Sequence, residues 1–215
     1  MEELSQEDLR RAREEHERAA YNPYSKEKMK DYLEHVWKDG PGSVDLDVEI
    51  TEPKGSQEEL AKVKDVLGQG VTDYSASSAA RATNVKNGTS KLNGKVLYPG
   101  EEISVCDNMV PFTEENGYAP AASYANGTVV ESFGGGICQV SSTMYSAMLN
   151  GGIPATERHP HSLPVPYLPE GRDATIAGNY YDLRFVNIYN TPLQISAVAD
   201  LRTGTVLSLI HISEP

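Results

Sequence analysis

Phenylalanine and tryptophan are scarce in this chain: three Phe and one Trp among 215 residues, against twelve Tyr. A core built from this set rests on aliphatic side chains and tyrosine bodies. Basic residues are also few, 19 Lys and Arg against 31 Asp and Glu, for a formal net charge of −12. That balance excludes nucleic acid as a partner, because no basic stripe is available to neutralise phosphates. It equally argues against electrostatic attachment to an anionic membrane surface. No apolar run approaches the roughly 20 residues of a membrane span, and no leader-like apolar segment follows Met1. Cysteine is limited to Cys106 and Cys138, enough for one disulfide or for none. The remaining balance, 39% hydrophobic residues with a mean hydropathy of −0.46, is that expected of a soluble globular protein.

Residues 1–25 are charge-dense, with too few apolar side chains for a packed helix, and read as a solvated helix or a disordered lead-in. The spacing of Met29, Leu33 and Trp37 predicts a helix capped by Ser25, and the alternation of Val44, Leu46, Val48 and Ile50 predicts a half-buried strand. "SQEELAKVKDVL" predicts a short helix over 56–67, capped by Ser56 with Glu59 three residues on. Charge density falls after Leu67, which places a domain boundary at 68/69 and gives segments 26–68 and 69–206. In the second segment "AARATNVKNGTSKLNG" predicts a helix ending at Gly94. "KVLYPGEEISV" reads as strand, Pro-Gly turn, strand, and an Asn126-Gly127 turn leads into a strand through Val129 and Val130. "ICQVSSTMYSAMLNGG" predicts a helix stopped by Gly151 and Gly152. "PVPYLP", "ATIAG", "LRFVNIY" and "LQISAVA" read as short strands or extended segments. The predicted class is α+β: a mainly antiparallel sheet with the Cys-bearing helix packed on it, preceded by a partial α/β segment. The last residues, Leu207 to Pro215, equal the translation of the transposase-type sequencing adapter CTGTCTCTTATACACATCTCCGAGCCC. The natural sequence is therefore expected to stop near Val206, with 207–215 as read-through, and His211 is set aside with it.

The chemistry centres on "GGGICQVSSTMYSAML". Glycines before a helix let backbone or substrate approach closely. A thiol at a helix N-terminus has its thiolate stabilised by unpaired N–H groups and the helix dipole. Gly135 and Gly136 are thus candidate substrate contacts. Gln139, Ser141, Ser142 and Thr143 are candidate donors to a developing oxyanion. Val140, Met144, Ala147 and Met148 form the expected buried face. The same spacing also suits a small buried cysteine behind a turn. A base is offered by His159 or His161 in "ERHPHSLPVPY", where residues two apart on an extended path face the same side, and the spacing leaves both open. Asp173 and Asp182 are candidate orienters of an imidazole, or turn residues. Arg158 beside the histidine pair, and Arg81 with Asn84 in "RATN", are candidate ligands for an acidic or amide group. Cys138, His159 and His161 lack finger or ribbon spacing, so no metal is expected, and no cofactor.

"GGGICQVSSTMYSAML", then "ERHPHSLPVPYLPEGRDATI", then "YYDLRFVN", resembles the VanW-like family, named after a vancomycin-resistance cluster protein. "RATNVKNGTSKLNGKVLYPGEEIS" and "NGYAPAASYANG" match its upstream motifs in order, and residues 26–68 are similar to the end of the peptidoglycan-binding domain that often precedes it. The resemblance implies an extracytoplasmic, cell-wall-associated protein tethered by an N-terminal membrane segment absent from this chain, with Met1 an internal start or a fragment edge. It implies peptidoglycan stem peptides as partners and L,D-transpeptidation through a cysteine thioester. Carried onto this chain, Cys138 is the nucleophile and His161 the base, because the family pattern retains the His of "HS", whereas His159 falls at a variable place. "EEISVCDN" departs from the pattern: Val105 and Cys106 stand where an aromatic and a small polar residue are usual. Cys106 therefore reads as non-catalytic, either a buried small residue or a disulfide partner of Cys138. Two rival functions stay open: a non-catalytic module in which the Gly-rich loop and Arg81 hold a stem peptide, and a thiol hydrolase with water as acyl acceptor.

Overall fold

A computed structural model describes residues 55–125 and 128–213 of the chain. The lead-in over 1–25, the helix expected after Ser25, the strand through Val44–Ile50 and the Asn126-Gly127 turn lie outside the described residues. Helix α1 (Gln57–Leu60) starts as expected at Ser56, whose Oγ accepts from the Glu59 N–H at 3.0 Å. It stops after one turn, and the chain enters strand β1 (Val63–Asp73) instead of remaining helical to Leu67. Pairing of β1 with a partner strand along its length outweighs the local helical preference of this Glu- and Lys-rich stretch. The expected boundary at 68/69 falls inside β1, and the compact unit containing it begins at Gly55.

Helix α2 (Ala79–Leu92) is capped by Ser78 and ends at Asn93, with Gly94 at φ +80°, as its sequence predicts. Strands β2 (Val96–Leu97), β8 (Leu193–Asp200) and β9 (Thr205–Ser213) complete a four-stranded antiparallel sheet in the order β1-β9-β8-β2. The segment read as adapter-derived supplies most of β9, with Val206, Ser208 and Ile210 turned inward. Such alternation is what any strand-forming segment of period two provides at this position. Strand β3 (Glu102–Ser104) joins β7 (Arg184–Val186) and β6 (Ala155–Glu157) in a second sheet, so the strands flanking the Pro99-Gly100 turn belong to different sheets. Strands β4 (Pro120–Ala125) and β5 (Thr128–Phe133) form a separate hairpin, with every β5 residue exposed. "ATIAG" forms no strand: Ala177 makes one isolated bridge with Tyr181, and the stretch before it bonds to the Cys-bearing helix instead.

That helix, α3 (Ile137–Asn150), buries Val140, Met144, Ala147 and Met148 completely, the face its periodicity predicts. It lies directly on β1. A Cβ on Gly68 or Gly70 would strike the carbonyl oxygen of Ala147 or Thr143, so the absence of side chains there is what lets helix and strand backbones touch. Phe185, Leu183, Leu193, Ile195 and Ile210 fill the rest of this core. The architecture is α+β and mostly antiparallel.

Candidate functional site

Strand β5 runs into Gly134 at φ +80° and Gly136 at φ +105°, the latter capping α3 in the left-handed region. A Cβ on Gly136 would also lie 2.7 Å from Arg81 Cγ, and one on Gly135 would strike the Ala121 carbonyl. The glycines thus serve close packing of the first turn of α3 against β4 and α2. Cys138, the second residue of α3, is a partly covered free thiol. Its Sγ lies 3.4 Å from the Ile176 carbonyl oxygen. A carbonyl only accepts, so this contact holds S–H and not a thiolate. Burial pushes the thiol above its ordinary range, and the Arg81 charge pulls the other way without reversing the shift. The activated thiolate expected from a helix N-terminus is therefore not the resting form: removal from water outweighs the favourable charges.

His161 and Asp173 are brought together. His161 Nδ1 lies 2.7 Å from Asp173 Oδ2, and the His161 backbone N–H donates to the same oxygen at 2.6 Å. Burial raises the Asp173 carboxyl, but these bonds lower it further, and it sits below the ordinary carboxylate value. An ionised carboxylate only accepts, so Nδ1 is the nitrogen that carries a proton toward Asp173. Arg158 is spent on the same aspartate, with Nε donating to the Asp173 carbonyl at 2.8 Å and Nη2 to Oδ1 at 3.0 Å. His159 turns elsewhere: its Nε2 is 3.0 Å from Glu157 Oε1, and its ring packs on Tyr181 with centroids 4.8 Å apart. The histidine left open by the spacing is thus divided by partner, with His161 alone of the pair on Asp173.

One short segment joins thiol and imidazole. The Ala174 carbonyl accepts from Ser141 Oγ at 2.7 Å and Ser142 Oγ at 3.3 Å, and the Ala174 N–H donates to Ser142 Oγ at 2.9 Å. Asp173–Ile176 therefore lies along the first turns of α3. Asp173 holds His161 at one end, and the Ile176 carbonyl takes the Cys138 thiol at the other.

Several residues expected to meet a ligand are committed to the scaffold. Ser141 and Ser142 are fully buried on Ala174, and Thr143 Oγ1 donates to the Gln139 carbonyl at 2.6 Å beside Thr72 Oγ1 at 2.7 Å. Gln139 is buried, with Nε2 on Thr72 and the Asp73 carbonyl and Oε1 accepting from Arg81 Nη2 at 2.8 Å. Asn84 is fully buried, its amide spanning the carbonyls of Ala119 and Gly135 and the Ala119 N–H, so it pins the glycine turn and does not face a ligand. Arg81 also reaches Ser77 Oγ at 2.6 Å, and its charge acts on the Cys138 thiol. Asp182 is no imidazole orienter: it accepts from the Ser104 hydroxyl, the Cys106 and Leu183 N–H groups and Arg184, around the second sheet. Cys106 is buried, its Sγ 3.4 Å from the Gly178 carbonyl and its thiol pushed up to about 12, chiefly by burial. Both cysteines are free, so the disulfide alternative is not the form seen.

Sequence reasoning missed Tyr167. Its ionisation is opposed first by burial and then by the charge a Cys138 thiolate would carry, so it shares the thiol's electrostatic surroundings. The usable signal was a lone aromatic in "PVPYLP", where prolines fix the path after the histidine pair. Among the described residues no group of three or more His, Cys, Asp or Glu is arranged to hold a metal ion, and no helix is long and apolar enough to cross a membrane.

A family model described as "VanW like protein" matches residues 80–208. The Bacillus subtilis "Uncharacterized protein YoaR" is 34% identical over 181 residues, covering 84% of this chain and 60% of its own length. The Enterococcus faecalis "Vancomycin B-type resistance protein VanW" is 30% identical over 122 residues, 54% of this chain and 44% of its own length. The chain thus spans less than two thirds of either relative. No solved structure matches.

Proposed function

The chain belongs to the VanW-like family, and from that premise we propose that Cys138 and His161 form the nucleophile and general base of a cell-wall acyltransferase, an L,D-transpeptidase acting on peptidoglycan stem peptides. The observation that carries the reading is the Asp173–Ile176 segment, which bonds the imidazole through Asp173 and the thiol through the Ile176 carbonyl. The reaction starts from a protonated thiol and requires an imidazole whose Nε2 accepts while Nδ1 stays on Asp173. As sulfur attacks the carbonyl carbon after the third stem residue, Nε2 takes the thiol proton. The C–N bond then breaks, the terminal D-residue leaves as an amine carrying that proton, and a thioester remains on Cys138. An amine of a second stem attacks the thioester, gives its proton to His161, and departs as the new amide while the thiol is restored. The Arg81 charge acting on the sulfur opposes burial and favours the thiolate at the moment of attack. The substrate implies an extracytoplasmic, cell-wall site of action, and the vancomycin-resistance name of one relative accords with a cell-wall role.

Mass analysis of muropeptides after incubation with the full-length protein tests this. The wild type should produce cross-linked dimers and a thioester adduct at Cys138. Cys138→Ala should lower dimer formation by at least about a thousandfold while binding stem peptide. Dimers formed equally by Cys138→Ala would overturn the proposal. Shortened stems without dimers would identify water as acceptor, and binding without any adduct would identify a non-catalytic module.

A further inference from the structure

We propose that Arg158 is the positioning residue of this site: it fixes the Asp173–Ile176 segment and so sets the placement of the His161 imidazole relative to the Cys138 thiol. The inference rests on the Cys–His reading above and assigns Arg158 a task other than holding substrate. The guanidinium grips one residue twice, through its main chain at 2.8 Å (Nε to the Asp173 carbonyl) and its side chain at 3.0 Å (Nη2 to Oδ1). The other carboxylate oxygen, Oδ2, is taken by the backbone N–H and Nδ1 of His161. Each oxygen of Asp173 thus has its own partner, and the peptide group that leads into Ala174 is held as well.

The same guanidinium lies over the Tyr145 ring, 5.2 Å from its centroid, and Tyr145 belongs to α3, the helix that carries Cys138. Arg158 therefore connects three pieces: the chain leading to His161, the segment behind the imidazole, and the helix bearing the nucleophile. Its side chain is 22% exposed, and the Asp173 side chain 11%. The fork therefore works with little competition from water. Only a planar fork can meet a carbonyl and a carboxylate of one residue while stacking on a ring; a lysine supplies one point charge and satisfies one of these contacts.

The test reads the imidazole directly. In full-length protein labelled with ¹⁵N-histidine, long-range proton–nitrogen correlation reports which His161 nitrogen carries the proton. The wild type should show Nδ1–H alone. Arg158→Met should show a mixture of tautomers, with kcat for acyl transfer lowered about 10- to 100-fold and KM changed less than about twofold, because misplacement of about 1 Å acts on rate. Arg158→Lys should fall between, rescuing charge but not the fork. If Arg158→Met does not fold, Arg158→Lys carries the test and must itself show the tautomer mixture. An unchanged tautomer in the folded variant, or a raised KM with unchanged kcat, would overturn the positioning role. Failure of the Cys–His reading is separately visible: transfer would survive Cys138→Ala, whereas the tautomer of His161 needs no substrate to be read.

Discussion

At Cys138 burial and the Arg81 charge act against each other, and burial wins. The thiol consequently waits protonated on the Ile176 carbonyl. Alkylation by iodoacetamide should follow that protonation. Its rate at Cys138, located by peptide mass mapping, should keep climbing as pH rises through about 8.5, the ordinary thiol value. A plateau reached near neutrality would instead mean a resting thiolate–imidazolium pair. The position of this cysteine was legible in the sequence, because three glycines followed by an amphipathic run announce a helix start. Its protonation state was not. That depends on groups such as the Ile176 carbonyl, which returns to the thiol from 38 residues along the chain, and no local pattern records how much water is excluded there. The choice of His161 could be inferred only from the family resemblance. What the structure adds is the contact of His161 with Asp173, whose turn-like surroundings gave it equal standing as a loop residue.

Helix α3 was readable to the residue because its buried face repeats at helical spacing. Strand β1 was not, since its Glu- and Lys-rich approach favours helix and only pairing with β9 makes it a strand. Gly68 and Gly70 flank the position where falling charge density suggests a boundary. Their actual task is to admit α3 onto the strand backbone. Gly70→Ala should therefore cost about 3 kcal/mol or more, because the collision is with the Thr143 carbonyl and neither backbone can yield alone. Gly94→Ala is the control. At φ +80° with nothing within 4 Å of an added Cβ, it should cost only the conformational penalty of about 1 kcal/mol. Urea unfolding of the two variants checks the difference; equal losses would mean that α3 does not press on β1 as described.

Across the whole molecule the buried thiols and Asp173 tie stability to pH in opposite senses. Cys138 and Cys106 hold their protons more tightly folded than unfolded. Their contribution is complete below the ordinary thiol value of about 8.5 and fades above it, for Cys106 until the pH reaches about 12. Asp173 is lowered by folding, so its contribution is present above its ordinary value of 3.8 and is lost as pH falls through the depressed one. Urea midpoints should therefore be highest between about pH 5 and 8 and should decline on the alkaline side less steeply in Cys106→Ala than in the wild type. An identical alkaline slope would remove Cys106 from the account. The Asp173–Ile176 segment adds a consequence for thermal motion. Because the partners of imidazole and thiol lie within one short stretch of chain, a drift of that stretch disturbs both contacts at once. Thiol and imidazole thereby share one point of mechanical vulnerability, the Asp173–Ile176 stretch, and the bonds of Ser141 and Ser142 to Ala174 brace it at its middle.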